Sequence, residues 1–268
     1  MNVSTPARLG MRVVALGYLV LLLLVPIGVI LWRTFERGFL SFVEAISTPA
    51  AISALNLSLL IVAIVVPINV IFGVVTALAL VRGRFPGRGF VQAVVDLPFA
   101  VSPVVVGVSL ILLWGVNGWF GGLDNVGFKV IFGLPGMVLA TIFVTLPFVV
   151  REVEPVLHEI GDEQEQAAAT LGASKWQTFW RITLPAIRWG LTYGIVLTVA
   201  RSLGEFGAVI MVSSGFPGVS QTLTLLVHSR YIDDHNTYGA YCAATLLMGI
   251  ALVTLLLMTL LDRKRSNA

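Results

Sequence analysis

The chain has 268 residues, 57% of them hydrophobic and 12% charged, with a mean hydropathy of +0.94 and a net charge of +3. That composition excludes a soluble globular domain, where charged residues make up about a quarter of the chain, and defines an integral membrane protein. A bilayer core about 30 Å thick takes roughly 20 apolar residues per helix, and six such runs occur, at 13–32, 55–81, 90–116, 130–150, 189–212 and 238–261. No stretch alternates as the strands of a membrane barrel do, so the spans are helices and the fold class is all-α.

The first run follows Arg8 and Arg12 but exceeds the apolar length of a signal peptide and lacks a small-residue cleavage site, so it is expected to stay as the first span. Asn56, Asn69 and Thr76 on the second run read as interhelical hydrogen-bonding groups. A short basic connection, 82–89, leads to the third run, where Pro98 and Pro103 interrupt the helical hydrogen bonding and Ser102 and Ser109 add hydroxyls. Freed N–H groups there can face an oxyanion, as helix N-termini do, or the site is a simple kink with its serines bonded to their own helix.

A Gly-rich outer loop, 117–128, precedes the fourth run, and the inner segment 151–187 follows it. This segment reads as helix, turn, helix: Asp162 as N-cap with Glu165 three residues on, Gly172 as a left-handed terminator, then Ser174 with Gln177 as a second capping box. Trp176, Phe179 and Trp180 then share one face, and Pro185 is expected to stop the helix before the fifth span. An aromatic face in water needs a cover: another part of the chain, the lipid headgroups, or a partner protein. The acidic Asp162, Glu163 and Glu165 argue against an anionic membrane surface.

Arg201 and Glu205 lie four apart in the fifth run, on a face with Thr198 and Ser202. Charges at bilayer depth are expensive and face the bundle interior or a water-filled path. They form either a translocation-path position, with Arg201 meeting an anion, or a structural ion pair, in which case exchanging the two charges preserves it. The last outer loop, 213–237, is expected to contain a short helix. Its His228, Asp233, Asp234 and His235 match no common metal spacing and read as a solvated surface for an extracytoplasmic partner. Cys242, the only cysteine, lies in the sixth run and excludes an intrachain disulfide. Twelve of the seventeen Lys and Arg residues fall on one side if the N-terminus is cytoplasmic, four on the other, and Arg201 lies within a span, which places both termini inside.

The inner segment also carries a recognisable pattern. Gln166, Ala167 and Ala168, three residues, Gly172, nine residues, then Ile182-x-Leu184-Pro185 resemble the signature of inner-membrane permease subunits of binding-protein-dependent ATP-binding-cassette importers. The signature Glu is Gln166 here, with Glu165 immediately before it. The stretches 97–107, 181–194 and 200–209 are similar to the sulfate and molybdate branch, and the whole chain resembles a sulfate permease subunit of the CysW type.

That resemblance implies a type I importer permease fold of six helices, with 1–268 a single transmembrane permease domain and 151–187 its cytoplasmic coupling loop. It implies that Glu165, Gln166, Ala167, Ala168, Gly172, Trp176, Phe179, Ile182, Leu184 and Pro185 dock into an ATPase subunit, which covers the aromatic face. Ser102, Pro103, Arg201, Ser202 and Glu205 are candidates for the path. The implied partners are a second, similar permease, two ATP-binding-cassette subunits and an extracytoplasmic sulfate-binding protein, in a bacterial plasma membrane. Sulfate, with thiosulfate, is the expected cargo; molybdate or tungstate in the same branch, and a stand-alone anion transporter, are the alternatives.

Lys129, Lys175 and Lys264 follow Phe, Ser and Arg, so none sits in a Gly-x-x-x-x-Gly-Lys-Ser/Thr phosphate loop, and neither His-Glu-x-x-His nor Gly-x-Ser-x-Gly occurs. No catalytic residue, metal or cofactor is therefore expected in this chain, and ATP and Mg belong to the partner ATPase. The basic pI reflects topology and implies no nucleic-acid binding.

Overall fold

The computed structural model describes the backbone of residues 5–122, 127 and 129–266, and the side chains of these except 5–9, 257–258 and 261–266. Among the described residues the regular structure is helical, with no strand. Helices α1 (Thr5–Leu19) and α2 (Val25–Phe35) are joined through a wide turn, Val20–Leu24, in which Val25 N–H donates to Val20 O. Pro26 lacks the N–H that would continue the tighter winding, and the widened turn relieves its ring. The result is one span, Gly10–Phe35.

After α3 (Phe39–Ile46), helix α4 (Pro49–Arg82) begins with Thr48, whose Oγ1 accepts from Ala51 N–H at 3.4 Å, and with Pro49 in the first turn. Its 34 residues make it about 51 Å long, more than the thickness of a bilayer core. The third run is not one straight span. Helices α5 (Arg88–Ala100) and α6 (Pro103–Trp114) are bent by 113° at the break between them, because Val101 and Ser102 are extended and Pro103 disfavours helical backbone in the residue before it. Pro98, by contrast, is accommodated inside α5. Helix α7 (Leu134–Ile160) is the axis of the bundle. Its second half packs with α4, Val95 of α5 and Ile187 in one apolar cluster, and its first half packs in another cluster flanked by Leu110 and Ile111 of α6. Among the described residues, five helices are long and apolar enough to cross a membrane, and counting the bent pair as one span gives six.

Most of the inner segment 151–187 belongs to the spans themselves, since α7 continues to Ile160. Helices α8 (Glu163–Thr170) and α9 (Lys175–Thr178) follow, then a second wide turn, Phe179–Thr183, leading into α10 (Leu184–Leu203). Pro185 does not stop the helix as expected: Leu184 N–H donates to Phe179 O, and the widened turn carries the winding past the proline. Residues Lys175–Leu203 are therefore one rod. The fifth run ends at Leu203 and not at residue 212; a break at Gly204 to Phe206 separates it from α11 (Gly207–Val212). The short outer helix is α12 (Leu223–Ile232), and α13 (Thr237–Ser266) is the last span.

Small residues set the close approaches. A Cβ on Gly190 would stand 2.6 Å from Glu152 O, and one on Gly194 3.1 Å from Val149 Cα, so α10 lies directly on the backbone of α7. Asn69 donates to Thr145 Oγ1 at 2.7 Å between α4 and α7, the interhelical role read from the sequence, whereas Asn56 is exposed. Thr34 and Thr245 hydroxyls pair at 2.8 Å and join the first span to the last.

At the outer end, Arg230 of α12 is buried and donates to Ala45 O, Gly239 O and Thr48 Oγ1, the last at 2.8 Å. Burial draws its pKa below the ordinary guanidinium value, a desolvation that these acceptors offset. Arg230→Met strands two carbonyls and is expected to cost about 3 kcal/mol, read as a lower Tm in detergent. Lys at 230 recovers only part, because a single ammonium cannot replace the planar fork.

Candidate functional site

The inner site starts from Gly161, whose φ of +63° and ψ of −166° are open essentially only to glycine, and which turns the chain from α7 into α8. Asp162 makes no side-chain cap, and the Asp162/Glu165 capping box does not form. Glu165 is engaged elsewhere: Arg82 Nε donates to its Oε2 at 3.1 Å and Thr183 Oγ1 to its Oε1 at 2.8 Å. Arg82 also donates from Nη1 to Leu157 O at 3.2 Å and from Nη2 to Gly161 O. These carbonyls belong to the end of α7, where a cation satisfies orphan acceptors.

Gly172 adopts φ +83°, with nothing near the position of a Cβ, so conformation alone calls for glycine there. Ser174 and Gln177 form the capping box, Gln177 N–H to Ser174 Oγ at 3.3 Å and Ser174 N–H to Gln177 Oε1 at 2.9 Å. Trp176, Phe179 and Trp180 rings lie 5.5 to 6.2 Å apart. They do not all face water: Phe179 packs on the inner apolar cluster, as does Leu184, while Trp176 and Trp180 are 69% and 50% exposed. Ala168 is buried, Ile182 half-buried, and Gln166, Ala167, Gly172 and Pro185 are exposed. Leu171, 88% exposed, is a third large apolar side chain left in water in this segment, and with the two tryptophans it is called the apolar knob below. Leu171, Arg82 and Thr183 were not singled out by sequence. The exposed Leu beside a left-handed Gly was visible, but the Arg82 contacts span 75 to 83 residues.

The second candidate site lies where two helices break. Glu205 sits in the gap after α10, its side chain 1% exposed, with Oε2 2.7 Å from Arg201 Nη1 but not in hydrogen-bonding alignment. Its Oε1 accepts Ala208 N–H at 2.8 Å at the start of α11, and its backbone O accepts from Thr224 Oγ1 at 2.9 Å. The two charges therefore do not share one helix, and Arg201 is one-third exposed. Gly207 is packed on Pro103 and Val104, so the break at 101–102 meets the break at 204–206. Pro103 is half-buried and Ser102 exposed at this junction; Ser202 is buried with no partner for its hydroxyl. Thr198 and Ser109 bond their own helices, through Gly194 O and Val105 O. Asp233, Asp234 and His235 are exposed, whereas His228 is half-buried, 5.3 Å from the Phe206 ring, and lines an apolar cavity of about 620 Å³ between α10, α12 and α13. Among the described residues no three His, Cys, Asp or Glu side chains group as a metal site.

A bundle of helices long and apolar enough to cross a membrane, with a buried ion pair where two broken helices meet and an exposed apolar knob at one end, suits the membrane-embedded component of a transporter. Residues 69–267 match the family of binding-protein-dependent transport system inner membrane components, and the chain belongs to that family. It is 48% identical over 254 residues to the sulfate transport system permease protein CysW of Synechocystis sp., covering 94% of this chain and 92% of that one. It is 44% identical over 258 residues to the CysW of Escherichia coli, covering 95% and 88%. A chain of a bacterial ABC transporter importing the acidic polysaccharide alginate has the same fold, with a TM-score of 0.76, 18% identity and 95% and 94% coverage. Another, from an alginate transporter in complex with a periplasmic protein, superimposes at 0.78 with 20% identity.

Proposed function

We propose that the chain is a permease subunit carrying sulfate, and with it thiosulfate, across the bacterial plasma membrane in an ATP-driven importer. The observation that carries this reading is the 44 to 48% identity, over more than nine-tenths of the chain, to sulfate permease subunits. The partners are a second permease of similar but different sequence, two ATPase subunits that bind ATP and Mg, and an extracytoplasmic sulfate-binding protein. The permease domain is the whole of 1–268 and segment 151–187 its coupling part, and the asymmetry of basic residues supports a topology with both termini in the cytoplasm.

The chemistry of the two sites suits this division of labour. Leu171, Trp176 and Trp180 supply exposed apolar side chains for the ATPase, the two tryptophans on a rod continuous with α10. Arg201 is the only basic residue within the apolar runs, which is little for discriminating one dianion from another, so selectivity belongs mainly to the binding protein. The test is reconstitution in proteoliposomes with the second permease, the ATPase and the binding protein. Labelled sulfate uptake is expected only with ATP and binding protein together, and exchanging the binding protein for a molybdate-specific one that still docks is expected to change the anion imported. Uptake without the ATPase rejects the importer reading; uptake that stays specific for sulfate makes the permease the selector.

A further inference from the structure

Beyond the apolar cluster that packs α4 on α7 and the start of α10, the last residue of α4 adds a polar tie to α8. Arg82 is the last residue of α4, and its three nitrogens all have partners: Nε on Glu165 of α8, Nη1 on Leu157 O, and Nη2 on Gly161 O at the end of α7. The other Glu165 oxygen takes the hydroxyl of Thr183, a buried residue in the wide turn that leads into α10. Arg82 and Glu165 side chains are each 23% exposed, so the pair is partly withdrawn from water and stronger than a surface ion pair. One guanidinium and one carboxylate thus tie α4, α7, α8 and the start of α10 together. They close over Gly161, the backbone position at which α8 would otherwise swing relative to α7.

We infer that Arg82 is the positioning residue of coupling: it locks the α8–α9 segment to the transport helices, so that displacement applied at Leu171, Trp176 and Trp180 moves α4 and α7 and is not absorbed at Gly161. This inference rests on reading 151–187 as the ATPase-contacting segment. Arg82 itself is remote in sequence from the knob and touches no ligand.

The experiment uses the full transporter in proteoliposomes, with ATPase retention, ATP hydrolysis and labelled sulfate uptake measured together. Arg82→Gln is expected to keep the ATPase bound and hydrolysing while sulfate moved per ATP falls about tenfold, the scale of a typical coupling free energy. Arg82→Lys, which keeps the charge but not the three-way fork, is expected to fall between Arg82→Gln and wild type. Adding Glu165→Gln to Arg82→Gln is expected to cause no further loss, because both remove the same strut. A merely structural role predicts that uptake and hydrolysis fall in proportion to assembled complex, with sulfate per ATP unchanged in Arg82→Lys and in whatever Arg82→Gln assembles; that result overturns the inference. Loss of ATPase binding in the Arg82 variants overturns it as well, since Arg82 is then part of the docking surface. Retention of the ATPase by a Leu171→Asp, Trp176→Asp chain rejects the coupling-segment reading itself, independently of Arg82.

Discussion

Changing Leu171 and Trp176 together to Asp is expected to weaken ATPase binding about a thousandfold while the chain still inserts and folds. Each is a large apolar side chain left mostly in water, 88% and 69% exposed, so neither contributes to the bundle's own core. Covered by a partner, such anchors are worth about 2 kcal/mol or more apiece, and two of them correspond to roughly three decades of affinity. Placing carboxylates in the same socket adds a desolvation cost. Phe179→Ala is the contrasting variant. Because Phe179 packs on the inner apolar cluster, its loss is expected to lower Tm by removing core contacts, whatever the partner does. The pair of measurements, ATPase affinity of the solubilised chain and Tm, separates docking residues from supporting ones. Equal affinity for wild type and the double Asp variant removes the knob from the interface.

The same segment shows which features are legible in sequence. Ser174 and Gln177 were readable as a capping box because the signal is confined to four residues and nothing competes for either side chain. Asp162 and Glu165 have the same spacing and fail, because Arg82 and Thr183 compete for Glu165 and win. A local rule cannot see a competitor 83 residues away. Pro185 illustrates a different limit: a proline stops a helix only if the turn before it stays tight, and here the winding widens over Phe179–Thr183 to pass it.

Hydropathy found six apolar runs because the bilayer imposes one length scale on all of them. It could not find the breaks at 101–102 and 204–206, since a bent pair of helices and a straight one have the same composition. Pro103 marked the first break. The second carries no proline, only Gly204 beside a carboxylate, and the meeting of the two breaks at Gly207 and Pro103 is a tertiary fact. The four-residue spacing of Arg201 and Glu205 suggested a pair, and a pair exists, but on the two sides of a helix end and not along one helix.

That geometry changes what substitution at the pair is expected to do. On a single helix, exchanging the charges would conserve the interaction. Here Glu205 has a second duty, since its Oε1 accepts Ala208 N–H and caps α11, and an arginine at 205 can donate but not accept. The exchange Arg201→Glu with Glu205→Arg is therefore expected to leave the Ala208 N–H without its partner and place a guanidinium in a site that is almost fully buried, and the complex is expected not to assemble. Glu205→Ala removes the cap of α11 and the counter-charge of Arg201 together, the lost cap alone costing about 1 to 2 kcal/mol. Arg201→Gln leaves the buried carboxylate without its counter-charge, with only Ala208 N–H to offset its burial. Glu205→Gln is milder, because an amide oxygen still accepts from Ala208 and the one-third exposed Arg201 can turn to water. The double variant Arg201→Gln, Glu205→Gln removes both charges, keeps the cap, and is expected to restore assembly beyond either Arg201→Gln or Glu205→Ala. Assembly is read from the recovered complex and its Tm, and transport from sulfate uptake per assembled complex. For a structural pair, the double variant transports within about threefold of wild type, a change of less than 1 kcal/mol. Full assembly with uptake abolished would place Arg201 on the anion's path, with its charge acting on the cargo and not on Glu205 alone.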